Sequence, residues 1–283
     1  MTYEHAGRQG LDYAPCRYGT SRLTFRGPKQ KLDGDYIAFL GGTETYGRYV
    51  ARPFPGLVGE ALGMAALNLG CVNAGPDVYL NDPVTLDLAR GGRAVVVQAT
   101  PAMNLSNRFY TVHPRRNDRF LRASPLMAQI FRDVDFTDFS FTRHMLDSLS
   151  RFAPERFALL HEELRAAWIA RMRLLLQKLD GRAVLLWAGG HATDAGEPPA
   201  APAALPGDGR GPEPLLVDHA MIAALRDDCA AIVAVRPSEL ALAQGTAGMV
   251  GAPTDMQAAA ELPNPVFHGE IAVALTRALR PLL

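Results

Sequence analysis

The sequence predicts an α/β protein in which a parallel sheet of about five strands carries helices on both faces. Two observations predict it. Short apolar runs bounded by glycines and turn residues recur at 36–40, 66–71, 94–99, 183–188 and 230–235, and a run of that kind reads as a buried strand. Helical segments fall between them, and strands alternating with helices call for a parallel sheet covered on both sides.

Each element has its own reason. Residues 36–40 (YIAFL) end in Gly41-Gly42, and the helix after Pro53-Phe54-Pro55 starts on proline and stops at Gly63. The run at 66–71 is followed by Asn-Ala-Gly-Pro-Asp, and 82–89 reads as a helix ending at Gly91-Gly92. AVVVQA at 94–99 is the strongest strand, being β-branched and bounded on both sides. Residues 100–123 read as one long polar loop, a length associated with function or specific ordering. One or two helices follow in 124–152. In 154–179, Leu160, Leu164, Ala167, Trp168, Met172, Leu175, Leu176 and Leu179 share one helical face. AVLLWA at 183–188 is the fourth strand, 218–228 a helix, AAIVAV at 230–235 the fifth strand and 268–280 a closing helix. Residues 1–34 read as an irregular arm. Six prolines and three glycines make 198–214 an insertion rather than core. The whole of 1–283 is expected to form one domain, with ligands at the carboxyl ends of its strands.

Composition narrows the function classes. There are 29 basic and 29 acidic residues, and the pI is near 7.1, which argues against a nucleic-acid surface. Cys16, Cys71 and Cys229 are odd in number and widely spaced, so neither a disulfide framework nor a zinc site is expected. Reduced thiols point to the cytoplasm. The first ten residues lack the apolar stretch of a signal peptide, and no run reaches the roughly 18 apolar residues of a membrane span. No P-loop or GxGxxG is present, and no cofactor or metal is expected.

Four segments carry candidate chemistry. FLGGTETYG (39–47) sets hydroxyl residues on a glycine turn after the first strand, where a substrate can reach them. LNLGCVNAG (67–75) ends the second strand, TPAMNLSN (100–107) follows the third, and PNPVFH (263–268) precedes the last helix. In this order the segments resemble the blocks of the SGNH (GDSL-like) hydrolases, across about residues 36–280. The resemblance implies a three-layer, flavodoxin-like fold and ester chemistry. Thr43 stands at the nucleophile position, where the family has serine, and Gly42 replaces the family's aspartate. Gly70 matches the oxyanion-hole glycine. Asn104 and Asn107 are both candidates for the oxyanion asparagine, Asn104 lying nearer the strand end. His268 matches the base, while Pro265 stands where the family has aspartate. The chain also resembles a family of bacterial proteins that carry the GGTE and VHPRRNDRF segments, a likeness that implies no particular activity.

A further segment lies outside the hydrolase-like blocks. Four arginines and a histidine fall within residues 107–119, beside Phe109 and Tyr110. Arginine forks bind carboxylate, sulfate or phosphate. Asn107, Arg108, His113, Arg115 and Arg116 are therefore expected to bind the charged part of an anionic substrate. The first reading is an esterase or acyltransferase acting on an acylated, anionic small molecule or glycan, with Thr43 and His268 catalytic and Gly70 and Asn104 holding the oxyanion. The rivals are a non-catalytic anion- or glycan-binding domain and a transferase using the arginine loop.

Structural readings compete at each position. Thr43 could cap a helix. Glu44 could be a general base or a first-turn acid. Gly70 and Gly75 could serve turn geometry, and His268 could bond backbone at a helix start. The arginines could pair with Asp118, Asp133 and Asp135. The aromatics of 131–141 read as core, and His191 and Asp194 as solvent-facing.

Overall fold

The computed structural model describes residues 10–189 and 216–283; the proline-rich segment 198–214, His191, Asp194 and the start of the arm lie outside them. Five strands form the main sheet: β1 (Tyr36–Leu40), β2 (Ala65–Asn68), β3 (Ala94–Gln98), β6 (Ala183–Ala188) and β7 (Ala231–Val235). All neighbours are parallel, in the order β2-β1-β3-β6-β7. Counted within the sheet this is 2-1-3-4-5, the flavodoxin-like order. The remaining strands, β4 (Tyr110–His113) and β5 (Arg116–Ala123), form an antiparallel hairpin of their own.

Eleven α-helices are seen among the described residues. They are α1 (Thr43–Tyr46), α2 (Phe54–Leu62), α3 (Pro76–Leu80), α4 (Pro83–Gly91), α5 (Pro125–Ile130), α6 (Thr142–Phe152), α7 (Pro154–Lys178), α8 (His219–Ala223), α9 (Glu239–Gln244), α10 (Met256–Ala259) and α11 (Pro265–Leu279). None is long and apolar enough to cross a membrane. Proline opens α3, α4, α5, α7 and α11 at their first position, where its missing N–H leaves no bond unmade.

Side chains alternate across the sheet. Ala38, Leu40, Val95, Val97, Leu185 and Trp187 face one way and pack with α7 residues Trp168, Met172 and Leu176. Ile37, Phe39, Val96, Val184 and Leu186 face the other way, against Phe54 and Val58 of α2 and Ile271 and Leu275 of α11. Of the aromatics at 131–141, Phe131 is core and packs with Tyr110, Phe120, Met145 and Leu149 in a third cluster, with Phe136 and Phe139 partly buried against it; Phe141 departs from the core reading, being 42% exposed. Trp168 also donates its indole N–H to the Thr100 carbonyl at 2.8 Å, so the α7 layer fixes the loop leaving β3.

The segment 100–123 departs from expectation, since 14 of its residues, 110–123, form or join the β4–β5 hairpin. The long-loop reading rested on polarity. Val112, Asn117 and Phe120 are buried here while Pro114, Arg115 and Arg116 are exposed, so the inward apolar positions are too few and too widely spaced to read as strands. The three cysteines are free, and burial pushes the Cys71 thiol up to about 12.

Candidate functional site

The carboxyl ends of β1, β2 and β3 open onto a cavity of about 510 Å³, within the size range of small-molecule sites. Thr43 and Glu44 line it from the turn after β1, Asn73 and Ala74 from the turn after β2, and Met103 and Asn104 from the loop after β3. Asp118 of the hairpin, Phe141, Thr142, Arg143 and His144 at the start of α6, and Glu261 close its sides.

A hydrogen-bonded net ties these walls together. Asn73 sits in the left-handed region at φ +56°, a conformation that asparagine tolerates. This aims its backbone N–H at the Thr43 hydroxyl, at 2.9 Å. The same hydroxyl donates to Asn73 Oδ1 at 3.1 Å. Asn73 Nδ2 donates to Asp118 Oδ2 at 3.0 Å, and Asn104 Nδ2 to the Asn73 carbonyl at 3.3 Å. A Cβ added to Gly75 would stand 1.6 Å from the Asn104 carbonyl oxygen, so the two loops touch backbone to backbone there.

Beneath the turn, Gln98 ends β3 with its side chain buried. Its Oε1 accepts the N–H groups of Gly42 and Thr45 and the Thr45 hydroxyl, at 3.1, 3.2 and 2.5 Å. Three donors on Oε1 leave Nε2 to face Glu44 Oε2, at 2.7 Å. The Glu44 carboxyl is buried, and desolvation holds its pKa above the usual carboxylate range.

Cations reach the cavity from elsewhere than the arginine-rich segment. Arg48 lines it, half-buried, with its guanidinium 4.8 Å from the Tyr49 ring centroid; among the described residues it makes no ion pair. Arg143 pairs with Glu261 at 2.7 Å across the rim. Tyr49 holds φ +66°, an uncommon conformation for a bulky residue and one that concentrates at functional sites.

Thr43 and Asn104 are thus brought together through Asn73. His268 is not brought to them. Its ring is 1% exposed, stacks on Phe54 at 5.7 Å and accepts the Phe54 N–H on Nδ1 at 3.1 Å. It lies in the apolar layer between α2 and α11 and does not line the cavity. Burial, aided by Arg26, lowers its pKa to about 3. Its expected place as the base on Thr43 is therefore corrected, the backbone-bonded reading being the one observed. Gly70 is likewise corrected as an oxyanion donor, because its N–H is spent on Asn68 Oδ1 at 2.9 Å. A Cβ there would stand 2.4 Å from the Tyr46 nitrogen, so this glycine lets the second loop pack under α1.

The expected substrate-binding set forms the hairpin frame, and none of it lines the cavity. Asn107 Oδ1 accepts the N–H groups of Phe109 and Tyr110. Arg108 pairs with Glu163 at 2.6 Å. His113 Nδ1 accepts the Arg115 N–H at 3.2 Å, and Arg115 and Arg116 lie exposed at the hairpin turn. Two residues of this segment serve the site: Asp118, which lines the cavity and accepts from Asn73, and Asn117, fully buried, which accepts the Gly75 N–H at 3.0 Å and donates to the His113 carbonyl.

Asn73, Gln98, Asn117 and His144 were not singled out from the sequence. Gln98 had a legible signal, a polar residue closing an otherwise apolar strand. Asn73 had another, an asparagine two residues before a glycine in the turn after β2.

Among curated proteins nothing matches the chain. Solved structures similar to it include the following two. One is a carbohydrate esterase family 2 enzyme with a carbohydrate-binding domain from Corynascus thermopiles (Myceliophthora fergusii), at 13% identity and TM-score 0.43, covering 90% of this chain and 68% of that one. The other is an extracellular lipase from Streptomyces rimosus, at 14% identity and TM-score 0.40, covering 88% of this chain and 100% of that one. A family profile described as "Domain of unknown function (DUF6473)" matches residues 1–283, and the chain belongs to that family.

Proposed function

We propose that the cavity is the working site of an ester hydrolase or acyltransferase whose substrate is an anionic, sugar-sized molecule carrying an acyl group. The observation that supports this best is the convergence of Thr43, Asn73 and Asn104, from three successive strand ends, beside the unneutralised Arg48. Ligands bind at such strand ends in open parallel sheets. Arg48 offers a fork to a carboxylate, the exposed Phe141 ring offers an apolar face to a sugar ring, and the Asn104 amide is a donor for developing charge. Anion recognition thus passes from the hairpin arginines to Arg48.

A second reading, binding without catalysis, has an observation of its own. The Thr43 hydroxyl gives its hydrogen to Asn73 Oδ1, an amide oxygen that cannot serve as a base. Calorimetric binding and acetate release, measured on a panel of acetylated sugar acids and their neutral analogues, separate the two. The enzyme reading expects release as well as binding, with Arg48→Ala weakening the acidic ligands roughly 10- to 100-fold and the neutral ones little. Binding of acidic ligands without release, by any member, would establish the second reading. No preference for acidic over neutral ligands would remove Arg48 from the account.

A further inference from the structure

We propose that Glu44 is the proton-transfer group of this site: its carboxylate draws a proton from a water molecule attacking the acyl carbon and returns it to the leaving alcohol. This rests on the ester-cleaving reading above and adds the base that reading lacks.

Geometry carries the assignment. Glu44 is buried on the cavity wall next to Thr43. Its Oε2 is held by Gln98 Nε2, and Gln98 is itself locked by three donors on its Oε1. The amide cannot flip without leaving those donors unpaired. An oxygen already accepting an N–H is a poor place for a proton, so Oε1 is the oxygen that takes one up. The support is orientation fixed by a second residue, as a proton-transfer group needs. Room for the carboxylate depends on Gly42, where a Cβ would stand 2.9 Å from Glu44 Oε2.

Thr43 is not placed to share its proton with this carboxylate, because adjacent residues on a helical turn do not face each other. Water is therefore the nucleophile. As its oxygen bonds to the acyl carbon, one hydrogen passes to Glu44 Oε1 and the carbonyl oxygen becomes an oxyanion. When the carbon–oxygen bond to the alcohol breaks, the alkoxide takes the proton from Glu44, leaving a carboxylic acid, an alcohol and the original carboxylate. The other charged or titratable groups around the same cavity are Arg48, Tyr49, Asp118, Arg143, His144, Asp147 and Glu261. Burial dominates them at Glu44, and the resulting upward shift brings the group toward the range where a base works at neutral pH.

The test is steady-state kinetics of the full chain on an acetylated sugar acid that the wild type cleaves, with Glu44→Gln, Glu44→Asp and Thr43→Ala alongside, together with calorimetric affinity. Glutamine keeps an oxygen for Gln98, so the fold and Kd are expected to hold. We expect kcat to fall by about 100-fold or more in Glu44→Gln and the acid limb of the kcat/KM profile to disappear. Glu44→Asp is expected to restore part of the rate, and Thr43→Ala to keep the acid limb. A Glu44→Gln variant within threefold of wild-type kcat that retains the acid limb would overturn the assignment while leaving ester cleavage standing. Binding of the whole panel without cleavage by the wild type would overturn both.

Discussion

At the scale of single residues, the cavity and the apolar layers use similar groups to opposite ends. Asn73 earns its place through backbone conformation, since only the left-handed region turns its N–H toward the Thr43 hydroxyl. His268 is the counterexample, a histidine kept neutral in the core as an acceptor for the Phe54 N–H. Its native pKa of about 3 lies below the ordinary 6.5. The unfolded chain therefore binds the proton first. The native state is undiminished above about pH 6.5, and stability is lost as pH falls from there toward 3, by up to about 1.4 kcal/mol per pH unit. Urea unfolding at pH 7 and pH 5 should show this loss, and His268→Gln should flatten the dependence while lowering stability at pH 7. An unchanged slope in the variant would show that other groups govern acid sensitivity.

At the scale of elements, the short α1 turn is held from outside by the arm. Arg26 donates to the carbonyls of Gly47 at 2.6 Å, Tyr46 at 3.3 Å and Ala51 at 2.9 Å, and its guanidinium stacks 5.2 Å from the Tyr13 ring centroid. From below, Asn68 Nδ2 donates to the Thr45 carbonyl at 2.8 Å. Replacing Arg26 with Met keeps the stem but leaves those carbonyls unpaired. A destabilisation of roughly 2–4 kcal/mol is expected from lost charged hydrogen bonds, read by denaturant titration. A change below about 0.5 kcal/mol would show that the arm merely lies on the surface. The arm was legible as irregular chain, but its role was not, because residues 20 apart reveal no contact to each other through pattern alone. The hairpin was missed for a related reason. Its strands meet only in the fold, and its inward Val112 and Phe120 are separated by the arginine-rich turn.

At the scale of the whole molecule, the sheet was readable because buried parallel strands are continuous apolar runs. The runs at 36–40, 94–99 and 183–188 coincide with β1, β3 and β6 to within one residue. The helix expected over 154–179 is α7. The site was half readable. Thr43 and Asn104 stand at strand ends, which strand order alone can locate. His268 stands at the start of the last helix, where order gave its place but not its facing, and it turns toward α2. The arginines drew attention by number, yet a charged turn in a hairpin is a common solvated surface, and Arg48 was hidden as one cation within the first turn.

On the proposed reading the Thr43–Asn104 cavity, and not the arginine-rich turn of the hairpin, handles the substrate. The measurement that tests it most directly is acetate release from acetylated sugar acids by the wild type, Asn104→Ala and the double variant Arg115→Ala/Arg116→Ala, side by side. The account predicts that the double variant stays within about twofold of wild type and that Asn104→Ala falls at least tenfold, in line with losing a donor at developing charge. A hairpin variant that loses activity while Asn104→Ala keeps it would contradict the account and return the site to the arginine-rich turn.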